Sequence, residues 1–250
     1  MPAAHPEHAP RYELVIGTKV WSSWSLRPWL LMRECGIPFD ENVIELRQPH
    51  SAADISRVSP SGKVPVLIDR EIGNSAGIAA SKGLVIWDTL AIVEHLAEHH
   101  PGADIWPRDP SARAIARAVS AEMHAGFAAL RQHCPMDFHA RSLAPADPAA
   151  IAADVRRILE LWADCRRRFG EAGPARSGSG MHSQTGMGPD AGGPFLFGAF
   201  CAADAMYAPV VSRFTSYDID LAAHSDSAVA DIATTYMAAM RNLKGWKAWA

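Results

Sequence analysis

The sequence predicts an α/β domain with a mixed four-stranded sheet, followed by an all-helical second half. Three observations lead there. Up to about residue 100, short apolar runs rich in strand formers alternate with segments of helical period. A proline-rich stretch, PGADIWPRDP, then interrupts the pattern. Beyond it, apolar residues recur only at helical spacing.

Residues 1–10, rich in Pro, Ala and His, are expected to be a mobile lead-in. Tyr12–Gly17 is the first strand. Ser25–Cys35 is the first helix, closed by Gly36 and Pro38. Phe39–Leu46 is the second strand, and Ala52–Val58 a short helix stopped by Ser59-Pro60. Val64–Ile68 and Leu84–Trp87 are the third and fourth strands, joined by REIGNSAGIAASKG. Their proximity predicts a hairpin, hence mixed pairing. Asp88–His99 closes the first domain (1–100) as a helix with Ile92, Val93 and Leu96 on one face. A linker falls at 101–108 and the helical domain at 109–250. Its helices are Ser111–Arg131, Pro148–Phe169, Asp204–Phe214 and Ser227–Met240. The second carries one stripe of Ile151, Val155, Ile158, Leu159, Trp162, Cys165 and Phe169. Residues 170–194, rich in Gly, Ser and Pro, are a flexible insertion with too little apolar surface to fold alone.

Composition narrows the function. The 24 basic and 27 acidic residues give a formal charge of -3, which excludes a strongly basic nucleic-acid binder. No apolar run reaches ~18 residues, so no membrane span is expected. The N-terminus lacks the basic and apolar regions of a secretory signal. Cys35, Cys134, Cys165 and Cys201 stand alone, without a CxxC pair for zinc or dithiol chemistry. The histidines are scattered, and no set of three or four metal ligands gathers in sequence. No GxSxG elbow marks a hydrolase serine. The reading is a cytoplasmic protein with reduced thiols and no metal.

Three segments carry chemistry, each at a strand or helix end. Ser22 and Ser23 precede the first helix. A hydroxyl there either caps the helix or donates to an anion favoured by the helix dipole. If the anion is a thiolate, its pKa falls and the nucleophile is activated. Lys63-Val64-Pro65 opens the third strand, where a proline is tolerated because it owes the ladder no donor. An ordinary trans proline satisfies that position, whereas a cis bond would turn the Val64 backbone toward a peptide-like ligand. Asp88-Thr89 opens the helix after the fourth strand. It is a simple cap, or a carboxylate for an α-ammonium group beside a hydroxyl and free N–H groups for an α-carboxylate.

Taken in order, SSWSLRPWLL, GKVPVL, WDTLAIVEHL and the later GAFCAADA resemble the glutathione S-transferase superfamily, in serine-type classes such as zeta and theta. The resemblance implies a thioredoxin-like first domain, an all-α second domain, glutathione as co-substrate and a homodimer. It implies that Ser22, with Ser23 as the near alternative, stabilises the glutathione thiolate. Pro65 would be cis, and the Val64 backbone would pair with the cysteinyl part. Asp88 and Thr89 would hold the γ-glutamyl group, and Lys63 the glycyl carboxylate. The implied reaction is attack on a hydrophobic electrophile. The same thiolate also serves cis-trans isomerisation of the maleylacetoacetate isomerase kind, or peroxide reduction. A non-catalytic glutathione-, ligand- or partner-binding protein is the reading outside catalysis. Trp24, Met123 and Phe127 are assigned to the electrophile pocket, with His124 and Tyr207 as further candidates. Two positions depart from the family pattern. Trp24 stands where the zeta class has a cysteine, and Cys201 where the capping motif has Ser or Thr.

Overall fold

A computed structural model describes residues 9–73, 83–170 and 192–249. Most of the lead-in, of the connection between the third and fourth strands and of the 170–194 insertion lies outside these residues. The first domain comprises β1 (Tyr12–Gly17), α1 (Ser23–Glu34), β2 (Phe39–Ile44), α2 (Ser51–Val58), β3 (Val66–Asp69), β4 (Leu84–Ile86) and α3 (Thr89–His99). The sheet order is β2-β1-β3-β4, with β1 and β2 parallel and the other two pairs antiparallel. This is the mixed, thioredoxin-like arrangement expected. The third strand starts two residues later than the sequence suggests. Val64 and Pro65 precede the ladder, whose first pair is Val66 with Val15.

The sheet is apolar on both faces. Val15, Val66, Ile68 and Val85 form a small cluster on one side, backed by Ile44, Val58 and Val64. Leu14, Ile16 and Leu67 belong to the main core with α1, α3 and the helical domain. Helix α1 is therefore enclosed along most of its length: Ser25 through Met32 are all buried. Such a helix suits a wedge between layers rather than a surface. It packs on α7 (Ala202–Ser216), itself buried along nearly its whole length.

The second domain adds α4 (Pro110–Ala125), α5 (Ala128–His133), α6 (Pro148–Cys165), α7, α8 (Ser227–Asn242) and α9 (Lys244–Trp249). The helix expected over Ser111–Arg131 is split. At Gly126 a Cβ would sit 2.8 Å from the Glu122 carbonyl oxygen, and Phe127 follows at φ +60°. The chain turns there and restarts as α5. The end of the Pro148–Phe169 stripe loosens into a π turn at Arg166–Gly170. Sequence periodicity missed α9 and the two isolated bridges at Phe195–Gly198 and Phe197–Ala199. No described helix is long and apolar enough to cross a membrane.

Asp69 ends β3 inside an ion network. Arg11 donates to both its oxygens, at 2.9 and 2.6 Å, and His95 Nε2 lies 2.9 Å away. The Glu71 N–H donates as well. Asp69, His95 and His99 bring metal-ligand types within 4.8 Å, but the carboxylate is already occupied by these donors. Burial opposes its ionisation, yet the bonds from Arg11 and His95 prevail and hold its pKa down at about 2. The folded value lies below the ordinary 3.8, so its stabilisation is present above pH ~4 and lost as pH falls toward 2. Asp69→Asn is expected to cost about 2 kcal/mol at pH 7 and much less at pH 2.5. Denaturant titrations at the two pH values measure this, and an equal deficit at both contradicts it.

Candidate active site

Three chain segments meet around one cleft of about 560 Å³. The β1–α1 turn brings Trp24. The turn before β3 brings Ser61, Lys63, Val64 and Pro65, and the start of α3 brings Trp87, Asp88 and Thr89. The far wall comes from His124 and Ala125 at the end of α4.

Each segment is fixed locally. Gly17 ends β1 where any side chain would meet Leu46 at 2.6 Å. Its N–H donates to Ser25 Oγ at 3.1 Å. Ser22 occupies the N-cap position of α1, but its side chain makes no capping bond and donates instead to Ser25 Oγ at 2.7 Å. Ser22 and Ser23 are both buried, and neither lines the cleft, although Trp24, next in the chain, does. Residues 59–63 form a tight turn. Ser59 Oγ donates to the Lys63 carbonyl and accepts from the Lys63 N–H, and Gly62 takes φ +66°. The Val64-Pro65 bond is cis.

Asp88 caps α3, accepting from the Leu90 N–H at 3.3 Å, while its carboxylate remains half exposed to the cleft. Its Oδ2 lies 3.3 Å from His124 Nε2. Thr89 is fully buried and donates to the Trp24 carbonyl at 3.4 Å, tying α3 to α1. Lys63 is exposed at the rim. Seven of the residues singled out in the sequence therefore share the cleft: Trp24, Lys63, Val64, Pro65, Asp88, Thr89 and His124. Met123 and Phe127 are buried in the main core and do not line it, and Tyr207 is spent on the Val119 carbonyl. His124, the neighbour of Met123, takes the wall instead. Ser25 is the residue sequence reasoning missed; its signal was the i, i+3 spacing from Ser22.

Trp24 sits in an unusual electrostatic setting. The guanidinium carbons of Arg27 and Arg131 lie 4.1 and 4.9 Å from its ring centroid, and the His124 ring meets it edge-on at 5.0 Å. Behind them lies Arg213, bonded to the Cys134 and Pro209 carbonyls. Among the described residues none of these three arginines has a carboxylate partner. Arg27 is fully buried, and both its terminal nitrogens lack a hydrogen-bond acceptor. Burial, then the charges of Arg131 and Arg213, lowers its pKa. Burial likewise brings Arg213 down to about 10. The cleft is backed by concentrated positive charge.

Residues 21–99 match the family model for the glutathione S-transferase N-terminal domain. The first domain is thus similar to glutathione S-transferase N-terminal domains over 79 residues. A curated relative, a probable maleylacetoacetate isomerase of Caenorhabditis elegans, is 29% identical over 105 residues. That match spans 42% of this chain and 42% of the relative. Solved transferase structures cover almost the whole chain. A glutathione transferase homologue from Burkholderia with bound glutathione has a TM-score of 0.57 at 18% identity, covering 95% of each chain. The Tau class transferase of mango gives 0.63 at 16% identity, covering 96% of this chain and 92% of that one. A bacterial maleyl pyruvate isomerase of the zeta class gives 0.60 at 17%, covering 95% and 96%. At such identities these likenesses show a shared fold over almost the whole chain.

Proposed function

We propose that this chain is a glutathione transferase, cytoplasmic and homodimeric, that binds glutathione in the cleft and activates its thiol as thiolate. The observation carrying this reading is the convergence of Lys63, Val64, Asp88 and Thr89 on one cleft beside the helix end that bears Ser22. The tripeptide offers a carboxylate and an ammonium group at its γ-glutamyl end. Asp88 supplies the counter-charge for the ammonium, and the first turn of α3 supplies N–H groups for the carboxylate. The Val64 backbone pairs with the central peptide, and Lys63 faces the glycyl carboxylate. This holds the sulfur beside α1, where the Ser22 hydroxyl turns from Ser25 toward it. Ser25, anchored by the Gly17 N–H, then donates its own proton to Ser22 Oγ. Orientation alone supplies much of the rate, because a fixed nucleophile reaches a high effective concentration.

The thiolate attacks an electrophilic carbon, a C–S bond forms, and the leaving group departs. A second reading, addition to a double bond followed by elimination after rotation, is favoured by the unpaired arginines behind Trp24. They suit an acceptor that carries a carboxylate, as isomerisable unsaturated acids do.

Calorimetric titration with glutathione tests the site, and conjugation of a chlorodinitrobenzene tests the chemistry. Asp88→Ala is expected to raise KM for glutathione about tenfold with kcat changed less than about threefold, because it removes a binding charge remote from sulfur. No heat of glutathione binding by folded protein would sink the reading.

A further inference from the structure

The β1–α1 loop that carries Ser22 is not held by its own domain alone. Within the loop, the Trp21 and Ser22 N–H groups both donate to the Thr18 carbonyl, at 3.1 and 3.0 Å. The next two carbonyls point to the helical domain. The Lys19 carbonyl accepts from Trp249 Nε1 at 3.0 Å, and the Val20 carbonyl accepts from the Phe138 N–H at 3.0 Å. Both donors belong to one packed unit, because the Trp246 ring lies on Phe138 at 4.8 Å between centroids. The helical domain therefore holds the loop at two successive residues shortly before the serine, Lys19 through Trp249 of α9 and Val20 through Phe138, against which α9 packs.

The grip is built on both sides. Trp249 is 1% exposed and meets Trp29 of α1 edge-on at 5.0 Å. Lys19 Nζ lies 4.8 Å from the Trp29 ring centroid and 5.5 Å from that of Trp249, and it pairs with Glu41 at 3.0 Å. At its other end α9 is pinned by the Gly245 N–H, which donates to Glu34 Oε1. A Cβ at Gly245 would meet the ends of the Glu34 and Leu30 side chains at 2.7 and 2.8 Å, so α9 lies close against α1 here.

We infer that Trp249 is a positioning residue for Ser22, and that α9 sets the distance between the Ser22 hydroxyl and the glutathione sulfur. The inference rests on the proposed role of Ser22 as the donor to that sulfur. Hydrogen bonds weaken steeply with misalignment, so a loop displaced by a fraction of an ångström donates poorly and the thiol ionises less.

Trp249→Phe keeps the buried ring and deletes only the N–H donor. The readouts are the ultraviolet absorbance of the bound thiolate and kcat/KM, both followed from pH 5.5 to 9. The variant is expected to raise the apparent thiol pKa by about half a unit to one unit. The rate should fall roughly fivefold near pH 6.5 and recover above pH 8.5, where the thiol ionises unaided. The KM for glutathione should stay within about twofold. Lys19→Met, which releases both indoles, should shift the profile the same way by less, and serves if Trp249→Phe folds poorly. Met240→Ala, a core truncation on α8, should lower Tm without moving the profile. An unchanged thiol pKa in folded Trp249→Phe and Lys19→Met, while Ser22→Ala raises it, overturns the inference alone. If Ser22→Ala leaves the thiol pKa unchanged, the reading of Ser22 fails and the inference falls with it.

Discussion

Ser22→Ala is expected to fold normally and to lose about tenfold or more in kcat/KM near neutral pH. The side chain is small, and it makes no helix-capping bond whose loss would cost stability. Its one hydrogen bond goes to Ser25, which keeps its bond from the Gly17 N–H. What disappears is the proposed donor to the thiolate. An ordinary thiol near pKa ~8.5 is about 3% ionised at pH 7, so each unit by which the donor lowers that value is worth nearly tenfold in nucleophile. The loss should shrink above pH 9, where ionisation needs no help. Ser25→Ala should show a smaller defect of the same pH form, because it leaves the donor and removes its orienter. A neutral-pH rate unchanged in Ser22→Ala moves the role to Ser23 or to backbone N–H groups of α1. A loss equal at pH 7 and pH 9.5 assigns Ser22 to positioning rather than ionisation.

The contrast between Ser22 and Ser25 shows where the sequence was legible. Elements with a clean period announced themselves. The α6 stripe from Ile151 to Cys165 is buried residue for residue, and the third and fourth strands pair antiparallel as expected. The cleft residues were legible in short motifs, since turn chemistry and helix starts draw on few residue types. Rotations about a helix axis were not. Met123 and His124 are neighbours on α4, and only packing against α7 decides that Met123 enters the core while His124 faces Asp88. The break at Gly126-Phe127 was hidden because glycine is tolerated in helices and the apolar spacing runs on through it. Helix α9 was hidden by its length, since six residues carry too little period to read. Its tryptophans have their roles only against Lys19 and Phe138, more than a hundred residues away in the chain.

Asp204→Ala is expected to destabilise the protein by about 3 kcal/mol at pH 7, lowering Tm by roughly 6–12 °C for a chain of this size. The carboxylate is fully buried and accepts from the Leu196 N–H at 3.0 Å and the Cys201 N–H at 2.9 Å. It thereby ties the start of α7, which supports α1, to the segment before it. Alanine leaves two buried N–H groups without acceptors, each costing about 1–3 kcal/mol, offset in part by relief of a buried charge. Cys201 stands at the N-cap, where a thiol accepts weakly, so the carboxylate carries most of that turn. Burial pushes the Asp204 pKa up to about 6, against the bonds from Leu196 and Cys201 that favour the charged form. The sign is opposite to that of Asp69. A folded value above the ordinary 3.8 means that the group's contribution is greatest below pH ~4 and declines as pH rises to about 6. The deficit of Asp204→Ala should therefore be larger at pH 4.5 than at pH 7. Denaturant unfolding of both proteins at the two values decides it. A deficit below about 1 kcal/mol, or one that shrinks on acidification, would show that α7 is held in place by its apolar packing rather than by this carboxylate.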